Sequence, residues 1–391
     1  MHTLLFAPAT HRLGPVLTLV EVALACRGWC NPVFITFGGR FSSVVRELGL
    51  PLMELTPRLT PQRQQVLIAL ERGEARGELF SPEELASRVR SELEAYEATA
   101  AVGIVACGNL STLISARAAR LPLAWVTPLA ATRAFWEAPS PYRAAALGAA
   151  PGWLPQGLRC WIAARAMLRG KFVGPFNQVA RAMGTPRASN LLAMAEGPRD
   201  IIVLTDPPQV CPERLPEGYR NPGPIIPSHT PWQLPQGIEK SQTIVVLPSP
   251  STPPRLLSHL LKSLARGPWN VLAPIRSLTH PPASNPKLLI TSWIPALAAC
   301  RQAKAVIACG GVSSIYTAIA STRPTIVVPG WHVPRVVGAM AEAEGLARTI
   351  APAQLSPEAL ASAMESPPSP AQLLHTDPEA VSRTLRDHFL P

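Results

Sequence analysis

The fold is decided by a stretch late in the chain, SWIPALAACRQAKAVIACGGVSSIYTAIASTRPTIVVP, residues 292–329. Its apolar run at 305–308 predicts a buried strand, which Cys309-Gly310-Gly311 follows directly before a helix begins near Ser313. Glycines at such a turn let a ligand approach the backbone, and the N–H groups and dipole of a helix start attract an anion. The stretch therefore predicts a strand–turn–helix unit with a candidate phosphate site, although two glycines alone also suit an ordinary turn.

The same rhythm of strand, loop, helix and strand occurs on both sides of a proline-rich connector at 206–242. This rhythm is typical of βαβ units in parallel sheets, so we expect an α/β fold with two Rossmann-like domains. The predicted domains are an N-terminal domain at 1–225 and a C-terminal domain at 226–375. A terminal helix near 378–389, within 376–391, is expected to pack back on the N-terminal domain. Ligands of open α/β sheets bind at strand carboxyl ends, here beside the cleft expected between two such domains.

Composition excludes several classes of protein. The 391 residues carry a net charge of +11, and 47% are apolar, which suits two cores and excludes a disordered chain. No apolar run reaches the ~18 residues of a membrane-spanning helix, and the first residues lack the basic segment of a signal peptide. Seven scattered cysteines without a C-x-x-C pair predict neither a disulfide framework nor a zinc site, and favour a reduced, cytoplasmic interior. Residues 1–199 contain no Asp, so no metal site built on paired Asp is expected there.

The stretch at 292–329 resembles the donor-site signature of family 1 glycosyltransferases, the bacterial macrolide and flavonoid type with the GT-B fold. The resemblance is carried by Trp293-Ile294-Pro295, its spacing to Cys309-Gly310-Gly311, and the prolines at 324 and 329. His11, in a loop just before a helix, and Gly223-Pro224-Ile225 also resemble the family. The resemblance implies two Rossmann-like domains facing across a cleft, with the acceptor bound by the N-terminal domain at 1–225 and the nucleotide-sugar bound by the C-terminal domain at 226–375. It further implies an inverting, metal-independent transfer from a UDP- or TDP-sugar to a small lipophilic hydroxyl acceptor, with no cofactor.

The resemblance also implies roles for individual residues. His11 is the expected base, since an imidazole with an unperturbed pKa near ~6.5 suits deprotonation of a hydroxyl at neutral pH. A solvated surface histidine is the alternative, and a Glu or Asn109 is the expected partner that orients the ring. Asn109 and Trp136 lie in the expected acceptor region. The expected donor-binding residues are Ser249, Trp293, Ile294, Gly310, Gly311, Ser313, Ser314 and His332.

Several positions depart from the family signature. Cys309 stands where the family has a histidine, Thr317 replaces a glutamate, and Ala296 replaces a glutamine. Val333-Pro334 replaces the Asp-Gln pair that contacts sugar hydroxyls, and Pro248 replaces a glycine. These changes keep open a catalytically inactive relative that acts as a binding or partner protein. A sugar-nucleotide epimerase and a DNA glucosyltransferase are minor alternatives, and no nucleic-acid partner is expected.

Residues 133–188 form a basic segment with eight Lys or Arg and a single acid, Glu137. Aromatic residues, among them Trp136, Trp153 and Trp161, are interleaved with these charges. Arginine-flanked aromatics on short helices suit an anionic membrane surface, so peripheral membrane binding and a membrane-resident acceptor are expected. Helices packed on the domain with a solvated basic face are the alternative.

Overall fold

The computed structural model describes residues 1–72, 74–148, 153–227, 233–234, 239–275, 287–365 and 374–390. The chain divides into two compact units. The first comprises Met1–Pro139, Ala164–Ile225 and Thr376–Pro391, and the second comprises Ser140–Ala163 and Ile226–His375. The sequence-based division at residue 225 does not single out Ser140–Ala163. Residues 228–232 and 235–238 of the proline-rich connector lie outside the described residues.

The first unit is built on a parallel sheet of seven strands in the order β3-β2-β1-β4-β5-β6-β7. Its inner strands read as nearly unbroken apolar runs because helices cover both faces of the sheet. The strand order reverses between β1 and β4, which pair in parallel. The strands are β1 His2–Pro8, β2 Cys30–Thr36, β3 Leu52–Glu54, β4 Gly103–Cys107, β5 Leu123–Thr127, β6 Asp200–Leu204 and β7 Tyr219–Arg220.

The second unit repeats this topology with six parallel strands in the order β10-β9-β8-β11-β12-β13. Here the order reverses between β8 and β11, so each unit has one topological switch point where ligands of such sheets bind. Both sheets are parallel, as the sequence rhythm predicts for βαβ units. The strands are β8 Thr243–Leu247, β9 Asn270–Ala273, β10 Leu288–Ile290, β11 Ala305–Ala308, β12 Thr325–Val327 and β13 Arg348–Thr349.

Helices connect the strands in both units. α7 begins in the second unit and ends in the first, and a 3-10 helix, Pro141–Leu147, precedes it. The helices are α1 Leu13–Cys26, α2 Ser42–Glu47, α3 Pro61–Arg72, α4 Pro82–Thr99, α5 Thr112–Ala118, α6 Arg133–Glu137, α7 Gln156–Met167, α8 Val173–Ala182, α9 Pro254–Ala265, α10 Ala296–Arg301, α11 Val312–Ala320, α12 His332–Ala343, α13 Pro357–Glu365 and α14 Pro378–Phe389. No helix among the described residues is long and apolar enough to cross a membrane.

The terminal helix α14 spans the residues that its sequence predicts and packs within the first unit. Asp377 caps it by accepting hydrogen bonds from the N–H groups of Glu379 and Ala380. Its apolar residues join the core around α1, and the Trp29 indole N–H donates to the Ser382 hydroxyl at 2.9 Å. The helix is therefore part of the packing that stabilises the first unit.

Candidate functional site

In the second unit, three loops meet at the carboxyl edge of the sheet. They follow β8, β11 and β12. A Cβ added to Gly310 would lie 3.1 Å from the Leu247 carbonyl oxygen and 3.1 Å from the Pro248 carbonyl carbon, so the first two loops pack backbone to backbone. Gly330, after β12, lies so close to the Pro253 ring that a Cβ would overlap it. The fold thus brings Ser249, Gly310 and the start of α12 to one edge.

The loop after β11 ends in the start of α11. Gly311 is the N-cap and supplies no side-chain cap, and the first N–H groups of a helix have no acceptor within it. A Cβ added to Gly311 would meet no atom within 4 Å, so the space in front of this backbone is open. Ser313 and Ser314 are half-buried in the first turn. This arrangement offers N–H groups, two hydroxyls and the helix dipole to an anion.

The loop after β8 is held in a tight turn beside α11. The Thr252 hydroxyl accepts from the Ser249 N–H at 2.9 Å and donates to the Cys309 carbonyl at 2.7 Å. The Ser249 hydroxyl accepts from the Ser251 N–H at 3.2 Å. Ser249 is therefore a turn-forming residue with a half-buried hydroxyl, which also lies 3.5 Å from the Thr252 hydroxyl.

Cys309, where the resemblance leads us to expect a histidine, supplies no imidazole to the loop after β11. Its side chain is buried, and burial raises the pKa of the thiol to about 12. Such a thiol remains protonated and inert at neutral pH. Thr317, at the position of the family glutamate, is also buried in α11. Both residues act as packing, so the polar groups of this loop are its backbone and its serines.

The start of α12 carries His332, directly before the Val333-Pro334 pair. Its ring makes an edge contact with Trp331, with the ring centroids 5.2 Å apart. Burial, with the Arg335 cation close by, lowers the pKa of His332 to about 4, so the ring is neutral at pH 7. Val333 and Pro334 are buried. His332 is thus the neutral polar side chain at this helix start.

The structure separates the roles expected of Trp293 and Ile294. Both follow β10, which lies two strands from β8 in the sheet, a spacing of about 10 Å. The Trp293 side chain is 54% exposed, whereas Ile294 is buried in the core. Only Trp293 therefore presents side-chain surface to a ligand, and Ile294 supports the turn.

In the first unit, His11 lies at the switch point, in the loop after β1. This loop is clamped from both sides, because the Ala9 N–H donates to the Cys107 carbonyl at 2.9 Å and Thr10 bonds the Thr36 hydroxyl at 2.9 Å. Gly39, with φ of +114°, closely approaches Thr10, an approach that a Cβ would disturb. His11 itself is buried, so its ring is held in place and is not a solvated surface histidine.

The carboxylate of Glu71, at the end of α3, is the partner of His11. Its Oε1 lies 2.9 Å from His11 Nε2 and 3.7 Å from Arg12 Nε. Burial by itself raises the pKa of Glu71, but Arg12, the His11 hydrogen bond and Arg72 outweigh it and hold that pKa below its usual range. The sequence left the partner of His11 open between a Glu and Asn109. Sixty positions separate the two residues, and no local pattern marks Glu71 among the other glutamates.

The Asn109 side chain makes its hydrogen bonds with residues other than His11. Its Nδ2 donates to Glu92 Oε1 at 2.9 Å and to the Thr112 hydroxyl at 2.8 Å, while its Oδ1 accepts from Ser111 at 3.1 Å. Glu92 is fully buried in α4, also accepts from Ser111 and Ser115, and has its pKa raised by burial. This network, which sequence reasoning missed, fixes the loop after β4.

Trp136 lies in the core of the first unit. It is fully buried, its indole N–H donates to the Ala130 carbonyl at 3.0 Å, and its ring packs edge-on against Phe135. Its indole therefore offers almost no surface to an acceptor. Among the described residues, no group of three or more His, Cys, Asp or Glu side chains is arranged to hold a metal ion.

No protein-family model and no curated protein matches this chain. Solved structures do. The chain is 18% identical to the glycotransferase of kitacinnamycin, with a TM-score of 0.61 over 99% of this chain and 95% of the other. It is 14% identical to the spinosyn forosaminyltransferase SpnP, with a TM-score of 0.64 over 99% and 96%.

The calicheamicin glycosyltransferase CalG4 is 17% identical, with a TM-score of 0.60 over 99% of this chain and 94% of the other. The chain has the GT-B fold. This confirms the fold expected from the sequence, two Rossmann-like domains. Two further GT-B structures of similar likeness, SpnG and VinC, are described as complexes with thymidine diphosphate and dTDP. These neighbours give no support to an epimerase or a DNA glucosyltransferase.

Proposed function

We propose that the protein is a glycosyltransferase that moves a sugar from a nucleotide-sugar to a hydroxyl group of a small lipophilic acceptor, with inversion and without a metal. One observation carries this proposal. The open, glycine-bounded start of α11 lies at a switch point of a GT-B fold, beside a serine turn and a second helix start. Such a start suits the diphosphate of a nucleotide-sugar.

In the proposed donor site, the N–H groups at Gly311 and the hydroxyls of Ser313 and Ser314 bind the diphosphate. Ser249 donates from the neighbouring turn. As the sugar leaves, negative charge grows on the diphosphate, and fixed donors stabilise that charge more strongly than mobile water does. This electrostatic role needs neither the family histidine nor a metal ion.

We propose that the nucleobase and the sugar of the donor bind on opposite sides of the diphosphate. Trp293 offers an exposed ring beside β10, about two strand spacings from β8, which suits stacking on a base. Neutral His332 at the start of α12 contacts a sugar hydroxyl in place of the missing Asp-Gln pair. The thymidine diphosphate of SpnG and the dTDP of VinC support a TDP-sugar, with a UDP-sugar as the second choice.

His11 is the proposed base. It accepts the proton of the acceptor hydroxyl, whose oxygen then attacks the anomeric carbon on the face opposite the departing diphosphate. Direct attack on that face inverts the configuration. The lipophilic acceptor is supported by the neighbour SpnG, which is described as a complex with the spinosyn aglycone.

A peripheral place on an anionic membrane, from the cytoplasmic side, is proposed for the basic segment. Among its described residues, the large exposed apolar ones are Trp153 at 80%, Leu158 at 43% and Trp161 at 57%. Leu158, Trp161 and Arg165 follow the i, i+3, i+7 spacing of one face of α7, and all three are exposed. Residues 138–195 contain no Asp or Glu, so Glu137 is the single acid of this segment that would repel anionic lipid.

Vesicle cosedimentation tests the membrane proposal. Phosphatidylcholine vesicles with and without phosphatidylglycerol are compared for the wild type, a Trp153→Ser/Trp161→Ser variant and an Arg165→Glu/Arg169→Glu variant. We expect binding only to the anionic vesicles and its loss in both variants. Val66→Ser on α3, an exposed apolar residue outside the segment, is the control. Equal binding by all four proteins, or by none, contradicts the proposal.

The activity is tested by a donor screen. The protein is incubated with a lipid extract and TDP- or UDP-sugars, and products are identified by mass spectrometry. Transfer by the wild type is expected to fall at least about 100-fold in His11→Ala, the usual scale of general-base catalysis. His2→Ala, at an exposed position on β1, is the matched control. No transfer together with no calorimetric binding of TDP, UDP or GDP would favour the inactive relative.

A further inference from the structure

His11 has one carboxylate partner among the described residues, Glu71, which is itself held in place by neighbouring cations. Glu71 Oε1 lies 2.9 Å from His11 Nε2. Arg12 stands 3.7 Å from the same oxygen, on the neighbouring residue of the loop. The histidine is buried and the glutamate side chain is 24% exposed, so the bond is shielded from water on most sides. These three residues join the loop after β1 to the end of α3.

Asn109 and Glu92, two other polar residues that could orient the ring, make hydrogen bonds with other residues. Both N–H groups of the Asn109 amide donate to Glu92 and Thr112, and its oxygen accepts from Ser111. Glu92 accepts from Ser111, Thr112 and Ser115 in addition. Neither residue makes a hydrogen bond to His11 within the described part of the chain. The orientation of the ring therefore depends on Glu71.

The protonation of this pair follows from its surroundings. The groups that face Glu71 are His11 and Arg12 from the loop after β1 and Arg72 from its own helix, and the two arginines keep the carboxylate ionised. An ionised carboxylate only accepts hydrogen bonds, so Nε2 must carry the hydrogen that joins the pair. In a neutral imidazole the lone pair is then on Nδ1.

We propose that Glu71 is the positioning residue of His11, that it fixes the Nε2–H tautomer, and that Nδ1 is the nitrogen that accepts the proton of the acceptor hydroxyl. The inference deepens the proposed function and depends on it for the catalytic step. In that step the acceptor O–H bond breaks and its proton bonds to Nδ1. The oxygen forms a bond to the anomeric carbon, and the bond from that carbon to the diphosphate breaks, with the electron pair leaving on the diphosphate.

Glu71 assists because the product of proton transfer is an imidazolium. Its Nε2–H faces a carboxylate, so the positive charge forms beside a negative one that is already in place. Arg12 shares the same carboxylate, with its Nε 3.7 Å from Glu71 Oε1. Removing the carboxylate should therefore lower kcat and leave the acceptor KM nearly unchanged.

The first experiment reads the tautomer and needs no activity. Protein labelled with ¹⁵N-histidine is studied by long-range ¹H–¹⁵N NMR, and the His11 signals are assigned as those missing in His11→Ala. We expect the Nε2–H form in the wild type and a mixture of tautomers in Glu71→Ala. Glu78→Ala, at an exposed position between α3 and α4, is the control and should match the wild type. A wild-type Nδ1–H form, or an unchanged tautomer in Glu71→Ala, overturns the inference.

The second experiment measures kcat and KM for the acceptor found in the donor screen. We expect Glu71→Ala to lose about 10- to 1,000-fold in kcat. Glu71→Gln, whose amide oxygen can still accept from Nε2, should lose less than Glu71→Ala and covers the case in which that variant does not fold. Wild-type kcat in both variants overturns the catalytic role of Glu71 while leaving the transferase proposal intact. A wild type without transfer activity contradicts the proposed function, and the tautomer measurement still decides the assignment of Glu71.

Discussion

Replacing Gly311 with alanine tests whether a diphosphate binds at the start of α11. The backbone of Gly311, with φ of −89° and ψ of −174°, is extended and accepts alanine, and the new Cβ would meet nothing within 4 Å. We therefore expect the free energy of unfolding to change by no more than about 0.5 kcal/mol. The same methyl group would occupy the open space in front of the first N–H groups of the helix.

The expected loss of nucleotide affinity follows from one displaced hydrogen bond. A hydrogen bond to a charged group contributes about 1.5–3 kcal/mol, and each ~1.4 kcal/mol is tenfold in affinity. Isothermal calorimetry should thus show TDP binding weakened about 10- to 150-fold in Gly311→Ala, at an unchanged Tm. UDP is measured in parallel.

Gly310→Ala is the matched variant, one residue earlier. Its Cβ would lie 3.1 Å from two backbone atoms, the Leu247 oxygen and the Pro248 carbonyl carbon, and 2.7 Å from the Ser314 hydroxyl. The backbone has to shift by a few tenths of an ångström, which costs roughly 1–3 kcal/mol. For a unit of this size that lowers the Tm by about 2–12 °C in a thermal scan. TDP binding at wild-type affinity by Gly311→Ala with an unchanged Tm would refute the diphosphate site, and an unchanged Tm in Gly310→Ala would refute the contact argument.

Three further predictions concern stability. In Gly103→Ala the new methyl group would overlap the ring of Phe389, so chemical denaturation should show a free energy of unfolding lower by about 1–3 kcal/mol. This loss should largely disappear in a Phe389→Ala background, and additive losses would contradict the contact. The folded-state pKa of His332, about 4, lies below its unfolded value, so this residue contributes stability above pH 6.5 that should be lost as the pH falls toward 4. Denaturation measured at each pH should show a smaller loss of stability in His332→Gln. Arg117→Met would remove the guanidinium 2.7 Å from the buried Asp200 carboxylate and should lower the free energy of unfolding by about 3 kcal/mol. If the double variant Arg117→Met/Asp200→Asn regains stability, the unpaired buried carboxylate is the cause of the loss. An undiminished loss in the double variant would exclude that cause.

The parallel sheets could be predicted from the sequence because their strands are short, apolar runs at regular spacing. The turn at Gly310-Gly311 could be placed at a strand end for the same reason, since a strand, two glycines and a helix are contiguous in the chain. The terminal helix over 378–389 was equally predictable, because its cap and its period are local. The family resemblance added roles for residues whose chemistry is also local, such as Ser313 and Ser314.

Burial and partner choice were decided by the tertiary structure. Trp136 and Ile294 are apolar at positions that suit either a pocket or a core, and only packing placed them in the core. Glu71 reaches His11 because α3 ends beside the loop after β1, and at a separation of sixty positions no local sequence pattern marks that approach. Sequence patterns reflect interactions between residues that are close in the chain, whereas a hydrogen bond between distant elements depends on how the strands and helices pack. The fold could therefore be predicted from the sequence, and the partner of His11 could not.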